Sequence, residues 1–107
     1  MTLVQPPVLT SRTTFDQDHA VMAVAGELDM STAPGLSNAF AEVVDRHPRD
    51  VTVDLADLAF IDSTGLTLLV RASKQLREHD ATLRLSSPTP PVRRVLEIVG
   101  LDHLLVA

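Results

Sequence analysis

Apolar and polar positions along this chain change their period several times, and each change marks an element. Val8–Phe15 and His19–Ala25 are rich in strand-forming residues and are separated by polar Asp16-Gln17-Asp18, which predicts an antiparallel hairpin. Gly26-Glu27-Leu28-Asp29 breaks the second strand, with Gly26 suited to a tight turn at positive φ. Ser31 or Thr32 can cap a helix that tolerates Pro34 in its first turn. Leu36, Ala39, Phe40, Val43 and Val44 then recur at helical spacing, giving one apolar face up to about His47-Pro48. Val51, Val53 and Leu55 alternate with Thr52 and Asp54 as a strand. After a polar elbow, Leu66, Leu69, Val70, Ser73 and Leu76 mark the inner stripe of a second helix, with Arg71, Lys74, Gln75, Arg77 and Glu78 outside and Asp80 as the turn. Thr82–Ser86 predicts another strand. The Pro-rich run Ser87–Pro91 leads into a short helix with Val92, Val95, Leu96 and Val99 inward, closed by Gly100, and Leu104–Val106 predicts a last short strand.

Helices with a single apolar stripe, alternating with strands, need one surface to cover them. The expected fold is therefore α/β: a single-layer mixed β-sheet of four to five strands with helices packed on it. Right-handed crossovers would join the parallel strands, and the N-terminal hairpin makes the sheet mixed. Pro6 and Pro7 make residues 1–7 a flexible lead-in, leaving 8–107 as the one domain that 107 residues allow.

Composition narrows the function. Apolar residues make up 45% and charged residues 21%, as in a folded globular domain. A formal charge of −5 argues against general affinity for nucleic acid or anionic lipid and favours a basic or neutral protein partner. The chain has no cysteine, which excludes disulfides and thiolate chemistry and suits a reducing compartment. With no signal-peptide pattern and no apolar run of spanning length, the expectation is a cytoplasmic protein without membrane insertion.

Enzyme patterns fail on spacing. Gly65 lies three residues after Asp62, where an aspartic protease needs two, and Ile61 stands where a serine-hydrolase elbow needs glycine before Ser63. His19, His47, His79 and His103 are scattered, so no metal site is expected. Neither a phosphate-binding glycine loop nor a dinucleotide fingerprint is present. No catalytic residue and no cofactor are predicted. What remains is the elbow Ile61-Asp62-Ser63-Thr64-Gly65-Leu66. Asp62 or Ser63 can serve as an N-cap there, with Gly65 letting the helix pack tightly. A hydroxyl at a helix start also lies near unpaired N–H groups that favour a phosphate. Phe40, Phe60 and Leu69 are expected in the core.

Two motifs in order resolve the choice. Gly26-Glu27-Leu28-Asp29 and Asp62-Ser63-Thr64-Gly65-Leu66, with Val51–Leu55, Asp57-Leu58, Phe60-Ile61, Pro90, Val92, Arg94 and Val99-Gly100-Leu101, resemble the STAS domain of bacterial anti-sigma factor antagonists over roughly residues 8–106. The resemblance implies a protein that, unphosphorylated, binds an anti-sigma factor that is also a serine kinase, and so frees a sigma factor. Phosphorylation of Ser63 would reverse this and a phosphatase would restore it. Thr64 is the second candidate acceptor. Asp29, Asp62, Ser63, Thr64 and Gly65 would form the partner surface. Similar domains also serve as small subunits of lipid-transport ABC systems and as parts of larger signalling assemblies. Such antagonists usually carry a further helix after the last strand, whereas this chain stops at Ala107. An uncovered apolar surface there would favour a weak homodimer. Arg71, Lys74 and Arg77, otherwise a solvated helix face, would steer a partner that docks along the second helix.

Overall fold

The computed structural model describes residues 8–106; the lead-in expected over residues 1–7 lies outside them. Strands β1 (Leu9–Asp16) and β2 (His19–Leu28) form the hairpin, paired from Leu9↔Gly26 to Asp16↔His19. Helix α1 (Ala33–Val44), strand β3 (Asp50–Ile61), helix α2 (Ser63–Glu78), strand β4 (Thr82–Ser86) and helix α3 (Pro90–Ile98) follow. The sheet order is β1-β2-β3-β4, antiparallel in its first pair and parallel in the other two. Consecutive parallel strands lie side by side, so right-handed crossovers place α1 and α2 on the same face.

That face holds the core. Ala20, Met22 and Val24 of β2, Val51, Val53 and Leu55 of β3, and Leu83 and Leu85 of β4 are buried, while Val21, Ala23, Thr82 and Arg84 between them are exposed. Leu36, Phe40, Val43 and Val44 of α1 close over it as the helical spacing predicts. α3 contributes Val92 and Leu96, and Thr89 Oγ1 at its start donates to the Leu58 carbonyl at 3.4 Å. Asp50 is the one charged residue buried among those described, and its carboxylate sits 2.7 Å from His19 Nδ1.

Several expectations need correction. Gly26 does not end β2, which continues to Leu28; instead β3 uses one residue more than β2 between the pairs Ala23↔Asp54 and Ala25↔Asp57, and again between Gly26↔Leu58 and Glu27↔Phe60. These are bulges, and the first is held by Asp54 Oδ1 accepting the Ala56 N–H at 3.0 Å. Across them the buried residues of β3 are Leu55, Leu58 and Ile61, three apart, so Phe60 turns outward and is 46% exposed rather than in the core. Gly26 does take a positive φ of 113°, and a Cβ there would strike the Val8 carbonyl. On α2 the inward stripe is Gly65, Leu69, Ala72 and Leu76; Val70 points out, and Leu66 and Ser73 lie half-buried at its margins. Val99 caps α3 and is exposed instead of inward. Among the described residues the expected last strand does not form: Asp102–Leu104 make a 3₁₀ turn, after which Leu105 alone bridges to Leu85.

Candidate functional site

The parallel strands β2 and β3 end together at the pair Leu28↔Ile61, and the Asp62 N–H extends the ladder by one bond of 3.1 Å to the Leu28 carbonyl. The next residues are Asp29 and Asp62, so the two acidic positions singled out in the sequence leave adjacent strand ends. Open α/β sheets commonly bind their ligands at such carboxyl ends.

Each aspartate organises the start of the helix that follows it. Asp62 is the N-cap of α2: its Oδ1 accepts the Gly65 N–H at 3.0 Å and its carbonyl accepts the Leu66 N–H at 3.0 Å. Between the two possible caps, the structure selects Asp62 over Ser63. At α1, Thr32 occupies the cap position without capping through its side chain. Its hydroxyl turns back, donating to the Glu27 carbonyl at 2.8 Å and accepting the Asp29 N–H at 3.0 Å. Asp29 orders the turn that leads into the helix: its Oδ1 accepts from the Ser31 hydroxyl at 2.7 Å, the Ser31 N–H at 2.9 Å and the Thr32 N–H at 3.1 Å, and its carbonyl accepts the Ala33 N–H at 2.8 Å. Led by the Ser31 hydroxyl, these bonds hold the Asp29 carboxyl below the usual aspartate range, against a smaller opposing effect of burial.

Ser63 is the first residue of α2 and is exposed. Capping by Asp62 satisfies the amides of Gly65 and Leu66, leaving those of Ser63 and Thr64 without a protein partner among the described residues. The Ser63 carbonyl accepts from Thr67 Oγ1 at 2.9 Å. Thr64 is also exposed, one position further into the turn. Gly65 is buried, and its part is to let the helix approach: a Cβ there would lie 2.7 Å from Leu28 Cγ and 2.8 Å from Ile61 Cγ1. The structure therefore brings Asp29, Asp62, Ser63 and Thr64 to one sheet end, with Gly65 beneath them.

Among the described residues no histidine is hydrogen-bonded to Ser63: those of positions 19, 79 and 103 bond Asp50, the Gln75 carbonyl and the Gly100 carbonyl. Nor does any cluster of three potential metal ligands form among them. Two features of the site are not apparent from the sequence. Met30, directly after Asp29, is 76% exposed. Between α1 and α2 runs an open groove of about 690 Å³, lined by Met30, Phe40 and Leu68 with Ser63, Thr67 and Arg71. The adjacent Asp29-Met30 pair after a strand is the available hint, since a large apolar side chain in a loop that caps a helix has no core to enter.

Comparison with known proteins accords with this geometry. The family model described as Mlab, STAS domain, matches residues 11–107. The chain belongs to the STAS domain family. Within it, the anti-sigma-B factor antagonist of Staphylococcus epidermidis is 33% identical over 97 residues, covering 91% of this chain and 90% of that one. The crystal structure of an anti-sigma factor antagonist from Mycobacterium paratuberculosis superposes with a TM-score of 0.81 at 30% identity, covering 91% of this chain and 82% of that one. SpoIIAA in its unphosphorylated form shares the STAS fold at a TM-score of 0.81 and 20% identity, over 91% of this chain and 86% of its own. No described helix is long and apolar enough to cross a membrane.

Proposed function

We propose that this STAS domain is an anti-sigma factor antagonist: unphosphorylated, it binds an anti-sigma factor that is also a serine kinase and frees a sigma factor, and phosphorylation of Ser63 releases it. The observation that carries this reading is the exposed Ser63 hydroxyl at the first position of α2, with Asp62 capping the helix beside it and Asp29 leaving the neighbouring strand end. The protein acts by binding rather than catalysis, in the cytoplasm, and a phosphatase resets it. Its relatives named anti-sigma-B factor antagonist support the role. SpoIIAA, whose fold it shares, has been solved both unphosphorylated and phosphorylated.

The physics of the switch is local. A phosphoryl group adds about −1.5 to −2 charge. It arrives next to Asp62 and at the sheet end that also carries Asp29, so a surface complementary to a neutral hydroxyl would meet repulsion and a desolvation cost. The free amides of Ser63 and Thr64 and the helix dipole soften the charge for the antagonist itself by about 0.3–1 kcal/mol, so the fold need not rearrange. Thr64, on the same turn, is the secondary acceptor. A Ser63→Ala bait should retain the kinase through washing while Ser63→Asp loses it, with captured proteins identified by mass spectrometry. Incubation of the wild-type protein with that kinase and ATP should place one phosphate on Ser63. Capture of no kinase by Ser63→Ala would defeat the reading.

Resemblance to STAS domains also supports a second reading, a small STAS subunit of a lipid-transport ABC system. Co-purification with a permease and an ATPase in place of a serine kinase would select it.

A further inference from the structure

The outer side of α2 carries more than a reactive hydroxyl. Ser63, Thr67, Val70 and Lys74 follow the spacing that stacks side chains along one side of a helix, and all four are exposed. Val70 is the unexpected member, an aliphatic side chain 48% exposed in the middle of the row. Arg71 lines the groove together with Ser63 and Thr67 of this row, and Arg77 stands near the far end of the helix. Arg71, Lys74 and Arg77 are exposed, and none of them makes an ion pair among the described residues. From Ser63 to Arg77 there is no acidic residue, on a chain whose formal charge is −5; Glu78, exposed at the last position of α2 and four residues after Lys74, bounds the cationic stretch. Before Glu78 the helix thus presents a neutral polar head, an apolar centre and a stretch of three cations.

Separation along the helix gives these parts different uses. Ser63 and Arg71 are eight residues apart, a rise of about 12 Å. That exceeds the screening length of roughly 8 Å at physiological salt. A phosphate on Ser63 would therefore be little neutralised by Arg71 of the same chain, and the cations would stay available to another molecule.

We propose that the outer face of α2 is the track on which the anti-sigma factor docks, and that the partner lays along it an acidic strip with an apolar side chain set against Val70. This deepens the function proposed above and rests on it. One acidic strip then reads both ends of the helix. Arg71 and Lys74 attract it and speed encounter, while a phosphate at Ser63 places like charge at the head of the same track. The groove beside the track, lined in part by Met30, offers the adjoining apolar surface.

The test uses the full chain and the kinase that Ser63→Ala captures, purified and without ATP. Association rates are measured by stopped flow at several salt concentrations for wild type, Arg71→Glu/Lys74→Glu, Val70→Asp and Arg84→Glu, the last on the open sheet face. The double charge reversal should slow association roughly tenfold and flatten its salt dependence. Val70→Asp should speed dissociation, and Arg84→Glu should match wild type. Circular dichroism checks folding; the milder Arg71→Gln/Lys74→Gln should give an intermediate rate should the reversal disturb the helix. Unchanged rate and salt slope in the double variant, with Ser63→Asp still unable to bind, would overturn the track and leave the switch standing. Capture of no kinase by Ser63→Ala would remove both. Binding to phosphatidylglycerol vesicles that the double variant abolishes, with kinase association unchanged, would assign the cations to a membrane surface and overturn the proposal.

Discussion

Replacing glycine by alanine at the third position of a helix should have opposite effects at the two long helices of this protein. Gly65 is third in α2 and Gly35 third in α1. At Gly65 the new methyl would lie 2.7 Å from Leu28 Cγ, 2.8 Å from Ile61 Cγ1 and 3.0 Å from Leu28 Cδ2. Comfortable carbon contacts are about 3.5–4.0 Å. Leu28 and Ile61 are themselves buried and paired across the ends of β2 and β3, so neither has space to retreat into. Overpacking of this kind costs about 1–3 kcal/mol. Loss of glycine's backbone freedom returns about 0.5–1 kcal/mol. The midpoints of these ranges leave a destabilisation of about 1 kcal/mol, or a fall of roughly 4–8 °C in Tm for a domain of this size. At Gly35 nothing lies within 4 Å of the position a methyl would take, so only the gain remains and Gly35→Ala should stabilise by about 0.5–1 kcal/mol. Urea denaturation followed by far-ultraviolet circular dichroism measures both. A Gly65→Ala protein as stable as wild type would refute the close approach of α2 to the strand ends, and a Gly35→Ala protein that loses as much would refute the open space around Gly35 on α1.

Asp62→Ala should cost about 0.5–2 kcal/mol in the same assay by freeing the Gly65 amide, while Asp62→Asn, which can still cap, should lose much less. Phe40→Ala should cost about 3–5 kcal/mol, and Phe60→Ala much less, because only the first ring is buried. The Asp29 carboxyl, held below its ordinary value in the folded chain, favours the ionised native state. Its contribution is therefore present above the unfolded value of roughly pH 4 and is lost as pH falls through the lower folded value. Asp29→Asn should accordingly show a smaller fall in stability than wild type between pH 5 and about pH 2 by acid titration.

The helical face of α1 and the hairpin are legible because their buried residues are large and regularly spaced: Leu36, Phe40, Val43 and Val44 in one, alternating strand formers in the other. The second half of β3 is not. Two bulges set Leu55, Leu58 and Ile61 three residues apart, a spacing that does not alternate, and move Phe60 to the outside. On α2 the inner stripe includes Gly65 and Ala72, side chains too small to announce burial, so the larger Val70 reads as inward in their place. The placement of Asp29, Asp62 and Ser63 is easier to read, because they are tied to strand ends and a helix start by the backbone itself. That Thr32 stands at the cap position of α1 without capping it depends on the direction of its hydroxyl, which turns back to Glu27 and Asp29, and sequence carries no sign of that.

The central claim is that one phosphate on Ser63 governs docking. Isothermal titration of the purified anti-sigma factor kinase, without ATP, into unphosphorylated protein and into protein phosphorylated on Ser63 alone tests it most directly. At least a hundredfold weaker binding of the phosphorylated form is expected, equivalent to about 2.7 kcal/mol. Equal affinities for the two forms would contradict the account.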